Sequence, residues 1–327
     1  MMGIKKVVAL ILLIVVVLII GFFSRSKQSN LPLIAIASLG RHSSLDASMQ
    51  GIKDELTKNG YIEKENVQYE IVDVGFDASL IPQMITNMKS HHPCVLVATT
   101  TPVAQYAKGS IKDIPLIYSV ITDPVAARLI KAPHRPEGNM TGSSDQQDLH
   151  VLLDFTKKVL DHPSRVGILY ATAEVNDLAL VHMLKQVALT SHMQVVAVPI
   201  DQTRDIPMAM QQFNQKVDFI YVGGSGAIQP ALPVIASESR KMGIPIFNVN
   251  EAAVKENMVF ASFGVNYHQV GVNTGKLIVG ILQGQSIASL PPQYPSTKDY
   301  QGFVSQKNAA QLGLHLPGNL PNTTVVR

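Results

Sequence analysis

Gly223-Gly224-Ser225-Gly226-Ala227 follows the apolar run 217–222 and leads into a helical pattern, the setting in which a strand–helix turn can present a serine nucleophile. Ala227 stands where that pattern carries its second glycine. A serine nucleophile also needs a histidine base oriented by a carboxylate. His268 and His315 lie downstream, with Glu238 and Glu251 as available acids, but none sits at a diagnostic spacing. A glycine-rich turn that lets the backbone approach a ligand accounts for the same run. Hydrolysis through Ser225 therefore stands as the minor alternative. Gly224-x-Gly226 lacks the third glycine of a dinucleotide fingerprint, and no Walker lysine follows it. The ten histidines are scattered, and His91-His92 are adjacent rather than spaced along one helix face, so neither a metal site nor a cofactor is indicated.

Polar residues where apolar runs end suit binding better than catalysis. Thr99-Thr100-Thr101-Pro102 closes one run and opens a helical pattern, so its hydroxyls and the free N–H groups of the helix start can meet a polar acceptor. The plainer role for Thr101 is to cap that helix, with Pro102 at its first position. Thr122-Asp123-Pro124 offers a hydroxyl and a carboxylate, or a turn cap. His42, Ser43, Ser44 and Asp46 follow the first run, where a lone histidine is more often a surface or capping residue than a ligand contact. Glu174 and Asn176 follow the run 165–170, and Asn250 follows 245–249.

The elements that must position these residues alternate regularly. Strands are expected at 33–38, 67–74, 94–98, 115–121, 165–170, 194–200, 217–222, 245–249 and 258–263, with helices at 45–58, 79–90, 147–160, 176–191, 228–242 and 267–282. Apolar strands separated by helices make parallel sheets covered on both faces. The pattern runs twice, and the Pro/Gly/Asn-rich passage 133–142 between the two runs reads as the first crossing between two similar α/β lobes. Ligands in such sheets sit beyond the carboxyl ends of the strands, where all the residues above lie.

Lys5-Lys6 precede the uncharged apolar run 7–23, followed by Ser24, Arg25, Ser26 and Lys27, which reads as an export signal. The run is at the short end for a membrane-spanning helix and long for a cleaved signal. Ser24 and Ser26 offer small residues for a cut before Lys27, so a cleaved signal peptide and a retained anchor both remain open, with the anchor favoured. Removing the four bases of residues 1–30 leaves 23 basic against 24 acidic residues, and no tryptophan, which gives no basis for nucleic-acid binding. The single cysteine, Cys94, lies far from the apolar run and reads as apolar filler.

Taken in order, several segments resemble the ABC transporter substrate-binding proteins of the tryptophan/tyrosine type, over about residues 33–317. They are Leu45-Asp46 with Gly51-Ile52, Thr101-Pro102-Val103-Ala104-Gln105, Ile114-Pro115-Leu116-Ile117, Thr122-Asp123-Pro124-Val125, Gly138-Asn139-Met140-Thr141-Gly142, Gly167-Ile168-Leu169-Tyr170 and Gly271-x-x-Thr274-Gly275-Lys276. The resemblance implies a type I periplasmic-binding architecture of two Rossmann-like lobes, preceded here by one hydrophobic helix. It also implies a third crossing, giving lobe one as 31–146 plus 266–288 and lobe two as 147–265 plus 289–327. The implied function is that of an extracytoplasmic solute-binding component, periplasmic and possibly tethered by residues 7–23. It would bind an amino acid or related compound, perform no chemistry, and serve an ABC permease. A ligand sensor partnering a membrane signalling protein would use the same pocket. The expected ligand-binding residues are Thr101, Thr122, Asp123, Glu174, Asn176, Ser225 and Asn250. Where such proteins often carry Thr-Asp-Asn after the third strand of lobe two, this chain has Gly224-Ser225-Gly226, which removes a carboxylate and makes that turn the expected source of specificity. The lipid-bearing cysteine of many relatives is also missing.

Overall fold

A computed structural model describes residues 31–327, and the apolar run 7–23, with the helix expected there, lies outside them. Among the described residues no helix is long and apolar enough to cross a membrane. The first lobe is built from β1 (Leu33–Ser38), α1 (Ser43–Lys58), β2 (Gln68–Asp73), α2 (Ile81–Ser90), β3 (Val95–Thr99), α3 (Thr101–Ser110), β4 (Leu116–Ile121) and β5 (Met140–Ser144). Its five-stranded sheet has the order β2-β1-β3-β4-β5 and is parallel throughout. Ile34 and Ile36 face one apolar layer and Ala35 and Ala37 the other, so an uninterrupted apolar strand is buried on both sides.

The second lobe continues with α4 (Leu149–Val159), β6 (Arg165–Ala171), α5 (Val175–Thr190), β7 (Gln194–Ile200), α6 (Ile206–Gln211), β8 (Phe219–Val222), α7 (Leu232–Met242), β9 (Ile246–Asn248), α8 (Glu251–Lys255) and β10 (Ala261–Gly264). α9 (Tyr267–Leu282) leaves this lobe and packs on α1, β4 and β5 of the first. The chain then returns as β11 (Gln301–Ser305), α10 (Gln306–Gln311) and β12 (Thr323–Val326), completing a seven-stranded sheet of order β12-β11-β10-β9-β8-β6-β7.

Two local expectations change. Residues 140–144 form β5, so the chain leaves the first sheet after Ser144 and not within 133–142. Met-Thr-Gly-Ser-Ser reads as loop because it has one β-branched residue. It is nevertheless a fully buried strand, and Gly142 is required there because a Cβ would lie 2.3 Å from the Tyr118 ring and carbonyl. The second sheet is also not wholly parallel. β11 runs antiparallel to β10, with Gly264 opposite Gln301, since the returning chain enters at the end where β10 leaves.

α1 and α9 run side by side in the same direction, with Ser48 against Gly271 and Gly51 against His268 and Val272. A Cβ on Gly271 would lie 1.9 Å from the Ser48 carbonyl oxygen, and one on Gly51 2.0 Å from that of His268. Gly271→Ala is expected to destabilise the protein by about 1–3 kcal/mol through overpacking against an unyielding backbone. Thermal and denaturant midpoints equal to those of the parent would contradict this contact.

Candidate ligand-binding cleft

The carboxyl ends of β1, β3 and β4 face those of β6 and β8 across a narrow, nearly closed cleft with a free volume of about 20 Å³. Two residues on its first-lobe wall have unusual backbones. Thr100 has φ 78° at the N-cap of α3, and Val120 has φ 57° in a bulge between Ser119 and Ile121. Both are β-branched, for which the left-handed region costs about 1–3 kcal/mol each, and such strain gathers where a chain is shaped for a ligand. Thr100, not Thr101, is therefore the cap residue of α3; Thr101 lies in its first turn, with Pro102 beside it.

Of the residues expected from sequence, Thr101, Thr122, Glu174 and Asn176 line this space together, two from each lobe. Asp123 stands just outside, its Oδ1 accepting the N–H groups of Val125 and Ala126 at 2.9 Å each, so it caps its own turn. Ser225 is buried behind the wall. Its Oγ accepts the Ile228 N–H at 3.2 Å and donates to Glu174 at 3.4 Å. The groups that a Ser225 nucleophile would need lie elsewhere. His268 pairs with Asp54, His315 is exposed, and Glu238 and Glu251 pair with Lys241 and Lys255. Asn250 caps α8 by accepting the Ala252 N–H and accepts the Ser43 hydroxyl at 2.7 Å, a hydrogen bond from one lobe to the other in a neighbouring opening.

Glu174 explains the glycines of the altered turn. Its carboxylate accepts the N–H groups of Gly226 at 3.1 Å and Ala227 at 2.7 Å, and the Asn176 amide donates to it at 3.0 Å. A Cβ on Gly226 would sit 3.2 Å from that carboxylate and 2.6 Å from Leu39 of the facing lobe. The turn has no carboxylate of its own, and the loop after β6 places that of Glu174 against its N–H groups.

Several groups here are buried without a hydrogen-bond partner: the Thr100 hydroxyl, His42 Nδ1, Asn176 Oδ1 and Asp145 Oδ1. His42 lies parallel to the Phe76 ring at 6.2 Å, and burial lowers its pKa to about 4 despite Asp46, leaving a neutral imidazole. Phe76 fits because Gly40 has no side chain; a Cβ there would meet the ring at 2.5 Å. Burial also raises the Asp177 carboxyl, helped by the nearby charge of Glu174, while the Ala171 N–H opposes the rise. Among the described residues no lysine or arginine lines the cleft. Sequence reasoning did not pick out Phe76, Val120, Tyr267 or Asp145. Tyr267 reads only as a helix start, and Asp145 follows a strand that itself reads as loop.

A tyrosine-binding protein of Clostridioides difficile is 29% identical to this chain over 265 residues, covering 81% of this chain and 76% of that protein. The structure of an ABC domain in complex with L-Trp from Streptococcus pneumonia superposes with TM-score 0.82 at 29% identity, covering 88% of this chain and 97% of that one. A ligand-free, open substrate-binding protein with adhesive properties from Clostridium difficile gives 0.71 at 28% identity, covering 91% and 99%. The lobes of this chain approach each other at Ser43 and Asn250 and at Leu39 and Gly226. Residues 33–324 match the model of the ABC transporter substrate binding protein family, and the chain belongs to that family.

Proposed function

We propose that this chain binds an amino acid or a related small compound between its lobes and passes it unchanged to the permease of an ABC importer. The lobes are taken as 31–146 plus 266–288 and 147–265 plus 289–327. The observation that carries the reading is the meeting of Thr101 and Thr122 from one lobe with Glu174 and Asn176 from the other around a single space. Relatives named for tyrosine and bound to L-Trp support the ligand class. The start of α3 suits the ligand's carboxylate, because its first-turn N–H groups have no partner within the helix. Glu174 and Ser225 shape the second-lobe turn, Asp123 holds the first-lobe loop, and Asn250 joins the lobes at the rim. Binding without chemistry fits the surroundings of Ser225, whose hydroxyl is hydrogen-bonded to Glu174 and to the Ile228 N–H, while His268 is paired with Asp54.

The lobes work outside the cytoplasm, held near the membrane by the apolar run 7–23 with Lys5 and Lys6 on the inner side. As a helix that run is about 25 Å long, and flanking Lys6 and Arg25 can extend its reach toward headgroups. Membrane-bound protein whose first residue is Met1 or Met2 is the expected result of N-terminal sequencing; a chain starting at Lys27 would replace the anchor with a cleaved signal.

Titration of the full chain with L-tyrosine and L-tryptophan, then the remaining amino acids, is expected to raise the melting temperature for at least one. Saturation at a hundred times Kd corresponds to about 2.7 kcal/mol. Thr122→Ala and Asn176→Ala should each weaken that ligand by roughly 0.5–1.5 kcal/mol, the worth of a neutral hydrogen bond. Unchanged affinity in both variants would move the site elsewhere.

A further inference from the structure

Asp145 is the first residue of the passage from β5 into the second lobe, and it is 8% exposed. Its Oδ2 accepts the Tyr267 hydroxyl at 3.1 Å, and its Oδ1 has no hydrogen-bond partner. The titratable groups around it are the hydroxyls of Tyr267 on α9, Tyr221 on β8 and Tyr300 before β11. No lysine, arginine or histidine is paired with it among the described residues. Burial raises its pKa to about 6, with the Tyr267 hydrogen bond acting the other way.

The other acids near the cleft are already engaged. Glu174 holds the N–H groups of Gly226 and Ala227, Asp177 that of Ala171, and Asp123 those of its own turn. Among the described residues, Asp145 Oδ1 is the carboxylate oxygen left buried and unpartnered. It is close to the cleft wall: a Cβ on Gly224, which lines the cleft, would lie 3.4 Å from the Tyr267 hydroxyl and 3.8 Å from Asp145 Oδ2. With no side chain at 224, the backbone there leaves room beside Tyr267 and the Oδ2 side of this carboxylate.

We propose that Asp145, with the Tyr267 hydroxyl beside it, receives a protonated amine of the ligand through the gap left at Gly224. This deepens the reading above and rests on it. A buried carboxylate without a cation is costly, and a primary ammonium supplies both the charge and the donor that Oδ1 lacks. The ligand class is therefore amine-bearing, and Asp145 and Gly224 become specificity-determining residues. The sign of the pH effect follows. Below pH 6 Asp145 is protonated and loses its attraction for the amine; above it the carboxylate is charged and binding strengthens. The amine stays protonated across this range, and His42 titrates below it. Asp177, raised to about 7 by burial and by Glu174, titrates within it behind Asn176. The effect of Asp145 is therefore the part of the pH dependence lost when Asp145 is replaced.

Calorimetry on the full chain in detergent, with the twenty L-amino acids and the desamino analogue of each that binds, tests this. The binding amino acid should outbind its desamino analogue, and its Kd should weaken about tenfold from pH 7 to pH 5, following the charged fraction of a group titrating near 6. Asp145→Asn, nearly isosteric, should weaken the amino acid at least tenfold, remove the preference for the amine and reduce the pH dependence to the part contributed by Asp177. Gly224→Ala, whose Cβ meets only ordinary contacts, should narrow the gap and weaken binding while the protein melts as before. Equal binding of the desamino analogue, or an Asp145→Asn variant with unchanged affinity and pH profile, overturns the inference and leaves the solute-binding reading standing. No binding by any of these compounds to folded protein overturns the amino-acid reading and this inference with it.

Discussion

The close parallel contact of α1 and α9 is the constraint on which the rest of the architecture depends. α9 arises after the last parallel strand of the second sheet, yet its packing surface lies on the first, so the chain must cross between lobes to satisfy it. The glycines at 51 and 271 bring backbone against backbone, which fixes the register of the two helices as well as their proximity. The buried pair of hydroxyls Ser119 and Thr274, 2.8 Å apart, ties the same helix to β4. Because Tyr267 is the first residue of α9, that register also sets where its hydroxyl meets the buried Asp145.

The second-lobe turn shows how one loop can place a charge on another that carries none of its own. With glycine at 224 and 226, the turn exposes backbone N–H groups, and Glu174 from the neighbouring loop fills the concavity they form. The carboxylate then serves as an acceptor for the main chain, and its charge is largely spent inside the protein. Leu39 closes over the same glycine from the opposite lobe, so the small residue is needed for the lobes to approach as well as for Glu174 to fit.

Much of this was legible in sequence, for identifiable reasons. Uninterrupted apolar strands and helices with clear ends gave the two-lobed α/β order, since burial on both faces leaves no other pattern. Thr101, Thr122, Glu174 and Asn176 are singled out by position alone, at strand ends, and they line one cleft. β5 was hidden because its burial comes from neighbours and not from its own composition, and Asp145 was hidden with it. Phe76 could not be read from spacing: its place depends on Gly40, distant in sequence logic though adjacent in space. Asp123 and Ser225 sat where a ligand contact would, but their first obligation is to unpaired N–H groups of their own turns.

The backbones of Thr100 and Val120 carry one more implication. Each would relax if replaced by glycine, which occupies positive φ without a steric penalty. A lineage selected for heat resistance alone would gain by losing these two side chains, while the wall they form would soften. Durability and selectivity therefore pull against each other at two adjacent strand ends, and a thermostable variant of this chain is to be judged first by what it still retains in its cleft.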